Sequence, residues 1–580
     1  MSILKDLSKK LQKEIKEAGY EIKNFNLLPS NRKDLGDYQI NDAMQLAKIY
    51  HKNPREIAED IVKVLEQDDR LTNINIAGPG FINITLSDEF LVDSLNKMSK
   101  KKELILDKKQ KKKIIIDYGG ANVAKALHVG HLRSANIGEA LKRLAKAFGY
   151  EVLGDAHLGD YGRPLGFVVL EIKKRYPELP YFDEDYQGDY SEIELPITNA
   201  DLEEIYPYAS TKAKEDDAYL EEGRNITTKI QHHERGYYDL WKKIVEISKK
   251  DIKEVYDKLN VSFELWLGES DAVEYLDELL EKLENKELIQ ESEGAKIIEV
   301  KEENETKPMP PLLLIKSNDS VSYETTDLAT ILQREIEYQP DEVWYVVDKR
   351  QALHFEQVFR ASKLAELTKA KLLHIGFGTM NGKDGKPFKT RDGGVMQLKE
   401  LINLIVEETT KKIENEAIQG KEREIVAEQV AIAALKYADL IPTVETDYIF
   451  ELEKFASLEG KTGPYILYST IRMKSLLEKA KEYSSKKAHT IGKGNEKEMI
   501  EILLSLPETL EKALNDKSLN EITEYLFRLT SEYNKFYQEN RILTEEDENL
   551  RETWIVLTKT IFKVNQMLLE ILGIKLPEKM

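Results

Sequence analysis

The sequence predicts an α/β protein with a buried parallel sheet, preceded by a smaller α+β segment and followed by an all-helical one. Three observations carry this. Ile114, Ile115 and Ile116 form the β-branched run expected of a strand covered on both faces. It breaks at Gly119-Gly120 into a helical pattern beginning near Gly130, with Leu132, Ile137, Leu141, Leu144 and Phe148 on the apolar stripe and Gly149 as its stop. EVWYVVD at 342–348 is a second continuous apolar run that turns into a helix, and beyond about residue 400 helical periodicity persists to the end.

Taken in order, helical patterns cover residues 2–18 and 54–67, and Ile74, Ile76, Ile82 and Ile84 place strands around the turn Gly78-Pro79-Gly80. This is a domain over 1–107. The lysines between 97 and 113 form the densest basic run and read as a solvated linker. EVLGDAHLGDYGRPLGFVVLEI is strand and then helix. Residues 175–235, rich in acids, tyrosines and prolines before turning helical, form an insertion. A helix follows over 236–252, then LNVSFELWLGES as strand and turn, and ESEGAKIIEV with PPLLLIKS as a pair of strands. HIGFGTMNGKDGKPFKTRDGGVMQLKEL, dense in glycine with Pro387, is a mobile loop studded with Lys383, Lys386, Lys389 and Arg391. The central domain runs over 108–450 and the helical one over 451–580.

Composition narrows the function. With 580 residues the chain holds several domains, and with no cysteine it holds neither a disulfide nor a cysteine-ligated zinc. A net charge of −20 excludes a protein that coats nucleic acid by bulk electrostatics, though basic residues can still gather on one face. No apolar run reaches the ~18 residues of a membrane span. The amphipathic start MSILKDLSKKLQKEIKEAGY lacks a signal peptide's apolar centre, so the expectation is a cytoplasmic protein without a membrane partner.

The chemistry concentrates where the first strand meets its helix. Free backbone N–H groups and the helix dipole there suit a phosphate; His128 and His131 share one face, and Gly130 between them lets a ligand come close. Two histidines at a helix end can also simply cap or pack. The whole string NVAKALHVGHLRS, however, resembles the signature of class I aminoacyl-tRNA synthetases, a His-x-Gly-His on the first crossover of a Rossmann-type domain, and its wording is that of the arginyl members. GDYQINDAMQLAK and NPREIAEDIVKVL resemble those members' N-terminal domain, which docks on the outer corner of the tRNA. The helical end, closing on LGI-x-x-PE-x-M, resembles their anticodon-binding domain, with Tyr465, Tyr468 and Arg472 on one helical face.

The resemblance implies an arginine–tRNA ligase that uses ATP with Mg²⁺, L-arginine and tRNA(Arg), commonly as a monomer. It assigns His128, Gly130, His131, His354, Lys389 and Arg391 to ATP, and Lys125, Lys383, Lys386 and Lys389, with the histidines, to catalysis. Tyr323 and Asp327 match the positions that hold the arginine guanidinium, a planar cation suited to a carboxylate fork and an aromatic neighbour; Asp327 at the start of a helical pattern could equally be its N-cap. Gln351 and Asn122 match contacts to the α-amino group, and Asp117 faces the arginine where the family often has Glu. Ala121 and Ala126 replace two family prolines, which should loosen the loop. GKPFKTR stands for the usual lysine loop, Lys-Met-Ser-Lys-Ser; Lys97-Met98-Ser99-Lys100-Lys101 spells that loop ahead of the first strand, where it reads as a helix end. No residue is assigned to a metal. The competing readings are a lysine-charging enzyme and a non-catalytic synthetase-like tRNA-binding paralogue.

Overall fold

The isoleucine run becomes the strand β1 (Lys113–Asp117), with Ile114, Ile115 and Ile116 fully buried. The computed structural model describes residues 2–23, 25, 27–100, 111–306, 308–317, 320–386, 388, 396–412, 418–483, 486–492 and 494–580. The chain divides into two units, Gln110–Ser457 with Ile571–Lys575, and Met1–Lys109 with Leu458–Glu570 and Leu576–Met580.

In the first of these, β1 passes through a loop into helix α1 (Val129–Ala147) and back to β2 (Glu151–Asp155); β3 (Glu342–Asp348) and β4 (Lys371–Phe377) complete a parallel sheet in the order β4–β3–β1–β2. The chain leaves β1 toward one edge and β3 toward the other. The carboxyl ends of β1 and β3 therefore bound the crevice where an open sheet of this kind holds its ligand. Register sets Tyr345, Asp117 and Asp155 side by side on three neighbouring strands at those ends.

After β2 come α2 (Arg163–Arg175), the insertion helices α3 (Asn199–Glu215) and α4 (Asp217–Gln231), and α5 (Tyr237–Lys258). They share a core that includes Leu170, Tyr181, Leu202, Ile226 and Trp241. LNVSFELWLGES does not form the expected strand: the Gly154 carbonyl accepts from both Glu264 and Leu265, so the segment wraps the end of β2 and makes only two isolated bridges, Asp155 with Leu265 and Leu158 with Gly268. The expected pair of strands is real and gains a third, Ile289–Ser292, which turns back through Glu293 and Gly294, both at positive φ. Helices α6 (Tyr323–Tyr338) and α7 (Ala352–Ala365) cover the sheet, their Leu328, Leu332, Phe355 and Val358 packing with Ile115, Val343 and Tyr345.

In the other unit the expected helices appear as Ile3–Glu17 and Pro54–Leu65, and the strands as the antiparallel pair Leu71–Ala77 and Phe81–Leu86. Lys97 to Lys100 end the helix Asp88–Lys100, with Lys97 paired to Asp93 at 2.6 Å; Lys101 lies outside the described residues. Within this unit the amino-terminal domain binds the carboxy-terminal helices through Lys33–Glu501 (2.6 Å), Lys497–Asp37 (3.0 Å) and a two-way amide pair between Asn96 and Ala488. The Tyr465 hydroxyl is tied to Asn534, whereas Tyr468 remains exposed beneath the Arg472 guanidinium at 4.7 Å. Among the described residues no helix is long and apolar enough to cross a membrane.

Candidate active site

His128 is the N-cap of α1. Its backbone is extended, its Nδ1 accepts from the Gly130 N–H at 3.0 Å, and Nδ1 of His131 accepts from the His128 N–H at 3.1 Å. The cap reading and the two candidate histidines are therefore one arrangement. With its Nδ1 accepting, the neutral His128 ring carries its proton on Nε2, whereas Nδ1 of His131 lies between the His128 N–H and the His128 carbonyl, 3.2 Å away, and meets either one according to its tautomer. Neutrality follows from the surroundings: burial and then Lys125 lower the His128 pKa, and burial, with His128 next, pushes that of His131 down to about 3. Gly130 serves the cap first. A Cβ there would lie 2.7 Å from Cε1 of His128, so the ring itself occupies the room that glycine leaves.

The loop before α1 is held rather than loose, despite its two alanines. Val123 N donates to the Gly159 carbonyl at 3.0 Å, and Ala124, at φ +62°, donates to Ser248 Oγ at 3.0 Å. Asn122, exposed in that loop, bridges by its backbone to Gly159.

The lysine-rich loop is anchored at both ends onto α1. Arg133, buried in the helix, donates through Nη1 to the carbonyls of Gly378 and Thr446, both at 2.8 Å, and pairs with Asp439 at 3.1 Å. At the other end Val129 N donates to Met396 O and Leu398 N to Leu127 O, so Gln397 lies against His128. Between them, Lys383 and Lys386 are exposed on a tight turn closed by Gly382 N to Lys386 O at 2.8 Å. Lys389 and Arg391 lie outside the described residues.

A second cluster forms at the start of α6. Ser322, not Asp327, caps this helix, accepting from Thr325 N. Asp327 is one turn further in and below Tyr323, a ring 65% exposed. Its Oδ2 lies 2.6 Å from Nε2 of His354, the residue expected beside the nucleotide. Glu269 joins them: burial, then Asp160 and Asp327, raise its pKa to about 8, and Glu269 in turn helps to raise that of Tyr323. The sequence held no signal for Glu269, because it arrives through the bridge that lays Gly268 beside Leu158. Gln351 is exposed at the start of α7, just beyond the carboxyl end of β3.

Between the clusters, Arg334 of α6 is fully buried and its Nη2 donates to Asp117 at 2.7 Å and Asp155 at 2.6 Å. Asp117 thus faces a guanidinium, that of the protein itself. Asp117, Asp155 and His157 are also the one cluster of three or more such side chains, among the described residues, whose ligand atoms lie close enough to hold a metal ion; with Arg334 bonded to both carboxylates it does not fit a cation.

One face of α3 reaches both the loop before α1 and the end of the lysine-rich loop. The Lys125 ammonium sits 4.4 Å from the Tyr206 ring centroid, and Gln397 Nε2 donates to Glu203 at 3.1 Å.

Comparison with known proteins gives the family. The family described as tRNA synthetases class I (R), catalytic domain, matches residues 94–452; the arginyl tRNA synthetase N terminal domain matches 5–86 and the DALR anticodon binding domain 466–580. Among curated relatives, the arginine–tRNA ligase of Alkaliphilus oremlandii is 44% identical over 585 residues, covering 100% of both chains, and that of Francisella tularensis subsp. novicida is 41% identical over 594 residues, again 100% of both. Arginyl-tRNA synthetase from Plasmodium falciparum superposes with a TM-score of 0.81 at 25% identity, covering 100% of this chain and 99% of the other. The Thermus thermophilus enzyme, at 21% identity and a TM-score of 0.79 over 100% of both chains, shares the fold.

Proposed function

Since the chain belongs to the class I arginyl-tRNA synthetase family and is an arginine–tRNA ligase, we propose how its residues divide the work. ATP meets the start of α1 and L-arginine meets the start of α6. The observation that carries this is the pair of histidines at the start of α1, both with Nδ1 turned to the backbone of the first turn.

In the first half-reaction the arginine carboxylate attacks the α-phosphorus of ATP and pyrophosphate leaves; in the second, the terminal ribose of tRNA(Arg) takes the arginyl group and AMP is released. Adenylation asks for positioning and charge neutralisation more than for a base. The neutral rings of His128, through Nε2–H, and of His131 meet the phosphate oxygens as charge grows on them. Each such donor is worth about 3–4 kcal/mol of barrier. Lys125, Lys383, Lys386 and Lys389, with Arg391, serve the pyrophosphate side.

Tyr323, Asp327 and Glu269 form the guanidinium pocket. Glu269 holds a proton near neutrality in the empty pocket, and an arriving guanidinium draws it off and binds the carboxylate. Asn122 and Gln351 lie at the carboxyl ends of β1 and β3, where an α-amino group between the two clusters would find them. Asp117, steadied by Arg334, faces the same end of the sheet. Magnesium travels with the ATP phosphates, and no protein side chain is assigned to it. We assign residues 1–107 to the tRNA corner and 451–580 to the anticodon, in a monomer that works where translation does, in the cytoplasm. Replacing His131 by Ala tests the mechanism. Charging should fall a few hundredfold; charging at full rate would make the helix start purely structural.

A further inference from the structure

His354 stands at the first turn of α7 with Nε2 2.6 Å from Oδ2 of Asp327, and its Nδ1 is 3.9 Å from Oε1 of Glu324. Asp327 has no cap to hold it, since Ser322 performs that role, and its side chain is about one-third exposed. A carboxylate so placed can turn about its χ angles. A single strong hydrogen bond to one oxygen fixes the plane of the group and aims the other.

We infer that His354 is a positioning residue for the arginine pocket: by donating from Nε2 to Oδ2 of Asp327 it directs Oδ1 toward the incoming guanidinium. This rests on the reading that Asp327 receives the guanidinium, and it moves His354 from the nucleotide to the amino acid. The surrounding charges agree. Asp327 and Glu324 face the imidazole from α6, and His374 of β4 faces it from the other side, its own pKa held down by burial and, in smaller part, by His354. Glu269 in turn faces Asp327. The hydrogen bond to Asp327, with the charges of Asp327 and Glu324, raises the His354 pKa above its ordinary value. At acid pH the imidazolium therefore cancels part of the Asp327 charge. As pH rises through that raised pKa the cancellation is lost and arginine binds more tightly.

The test is steady-state charging of total tRNA by wild type, His354→Ala, His354→Gln and Asp327→Asn, with KM for arginine and for ATP measured separately across pH. His354→Ala should raise KM for arginine roughly tenfold, the worth of a hydrogen bond to a charged group, and leave KM for ATP within about twofold. His354→Gln keeps an N–H donor at a similar reach; it should restore most of the loss and flatten the acid limb of KM for arginine. A rise in KM for ATP with that for arginine unchanged would return His354 to the nucleotide and overturn the inference. If Asp327→Asn raises KM for arginine and His354→Ala does not, the pocket stands and the positioning role falls; if Asp327→Asn changes nothing, the pocket reading itself falls. Should His354→Ala melt early, the Gln variant alone decides through its pH profile: an acid limb retained at wild-type strength contradicts the inference.

Discussion

Gly130→Ala is a small change that separates capping from catalysis. A Cβ at residue 130 would sit 2.7 Å from Cε1 and 2.8 Å from Nδ1 of His128, about 0.7 Å inside the 3.4 Å at which ordinary contact begins. The backbone of α1 cannot move far, because Val129 and Leu127 are paired to residues 396 and 398. The imidazole must yield instead, giving up its hydrogen bond to the Gly130 N–H. Losing that cap costs about 1 kcal/mol of stability, which in a chain of 580 residues lowers the melting temperature by less than the roughly 2–4 °C of a 150–250-residue domain. Activity should suffer far more, since a misplacement of ~1 Å can cost about a hundredfold in rate. Arginine-dependent exchange of pyrophosphate into ATP, run with tRNA present, measures the rate, and a thermal melt measures the fold. The reasoning predicts a kcat down about a hundredfold with a melt almost unchanged. A wild-type kcat, or a loss of rate matched by a large loss of stability, would refute it.

Other outcomes follow from buried charge. Arg334→Met leaves Asp155 buried without its cation and should cost about 3–5 kcal/mol in urea unfolding; a change under about 1 kcal/mol would mean the bridge is replaceable. Lys436 is wholly buried, donates to the Leu259 carbonyl at 2.7 Å, and has its pKa pushed down to about 7 by desolvation. Its folded pKa lies below the unfolded one of about 10.4, so the unfolded chain binds the extra proton between these values and stability should rise with pH from about 7 upward. Denaturant midpoints of wild type and Lys436→Met should therefore converge or cross in favour of wild type as pH goes from 7 to 9; parallel curves would contradict this. Arginine binding at pH 7.5 should release protons from Glu269, seen as a calorimetric enthalpy that depends on the buffer, and Glu269→Gln should abolish that dependence.

What could be read in the sequence was the structure that is local along the chain. The strand–loop–helix around His128 and His131 needs only residues 114–149 to declare itself, whereas Tyr323 and Asp327 stood out only by resemblance to the family. The cap at Ser322 was the detail that spacing left open, since either a serine or an aspartate can start a helix. Glu269 and Arg334 were hidden for another reason. Each reaches the site through tertiary register, Glu269 by lying beside Leu158 and Arg334 by spanning the ends of two strands made neighbours by pairing. The stretch 175–235 was legible as turning helical, but the contacts of Glu203 and Tyr206 with Gln397 and Lys125 depend on how α3 docks. LNVSFELWLGES misled because its apolar residues line the end of β2 rather than a ladder.

The central claim is that the pocket built on Asp327 selects a guanidinium. The direct measurement is ATP-dependent attachment of labelled arginine, and in parallel labelled lysine, to total tRNA by wild type and by Asp327→Asn. Wild type should charge arginine and not lysine, and the variant should lose arginine charging while melting like wild type. Lysine charging by wild type, or unchanged arginine kinetics in the variant, would contradict the assignment.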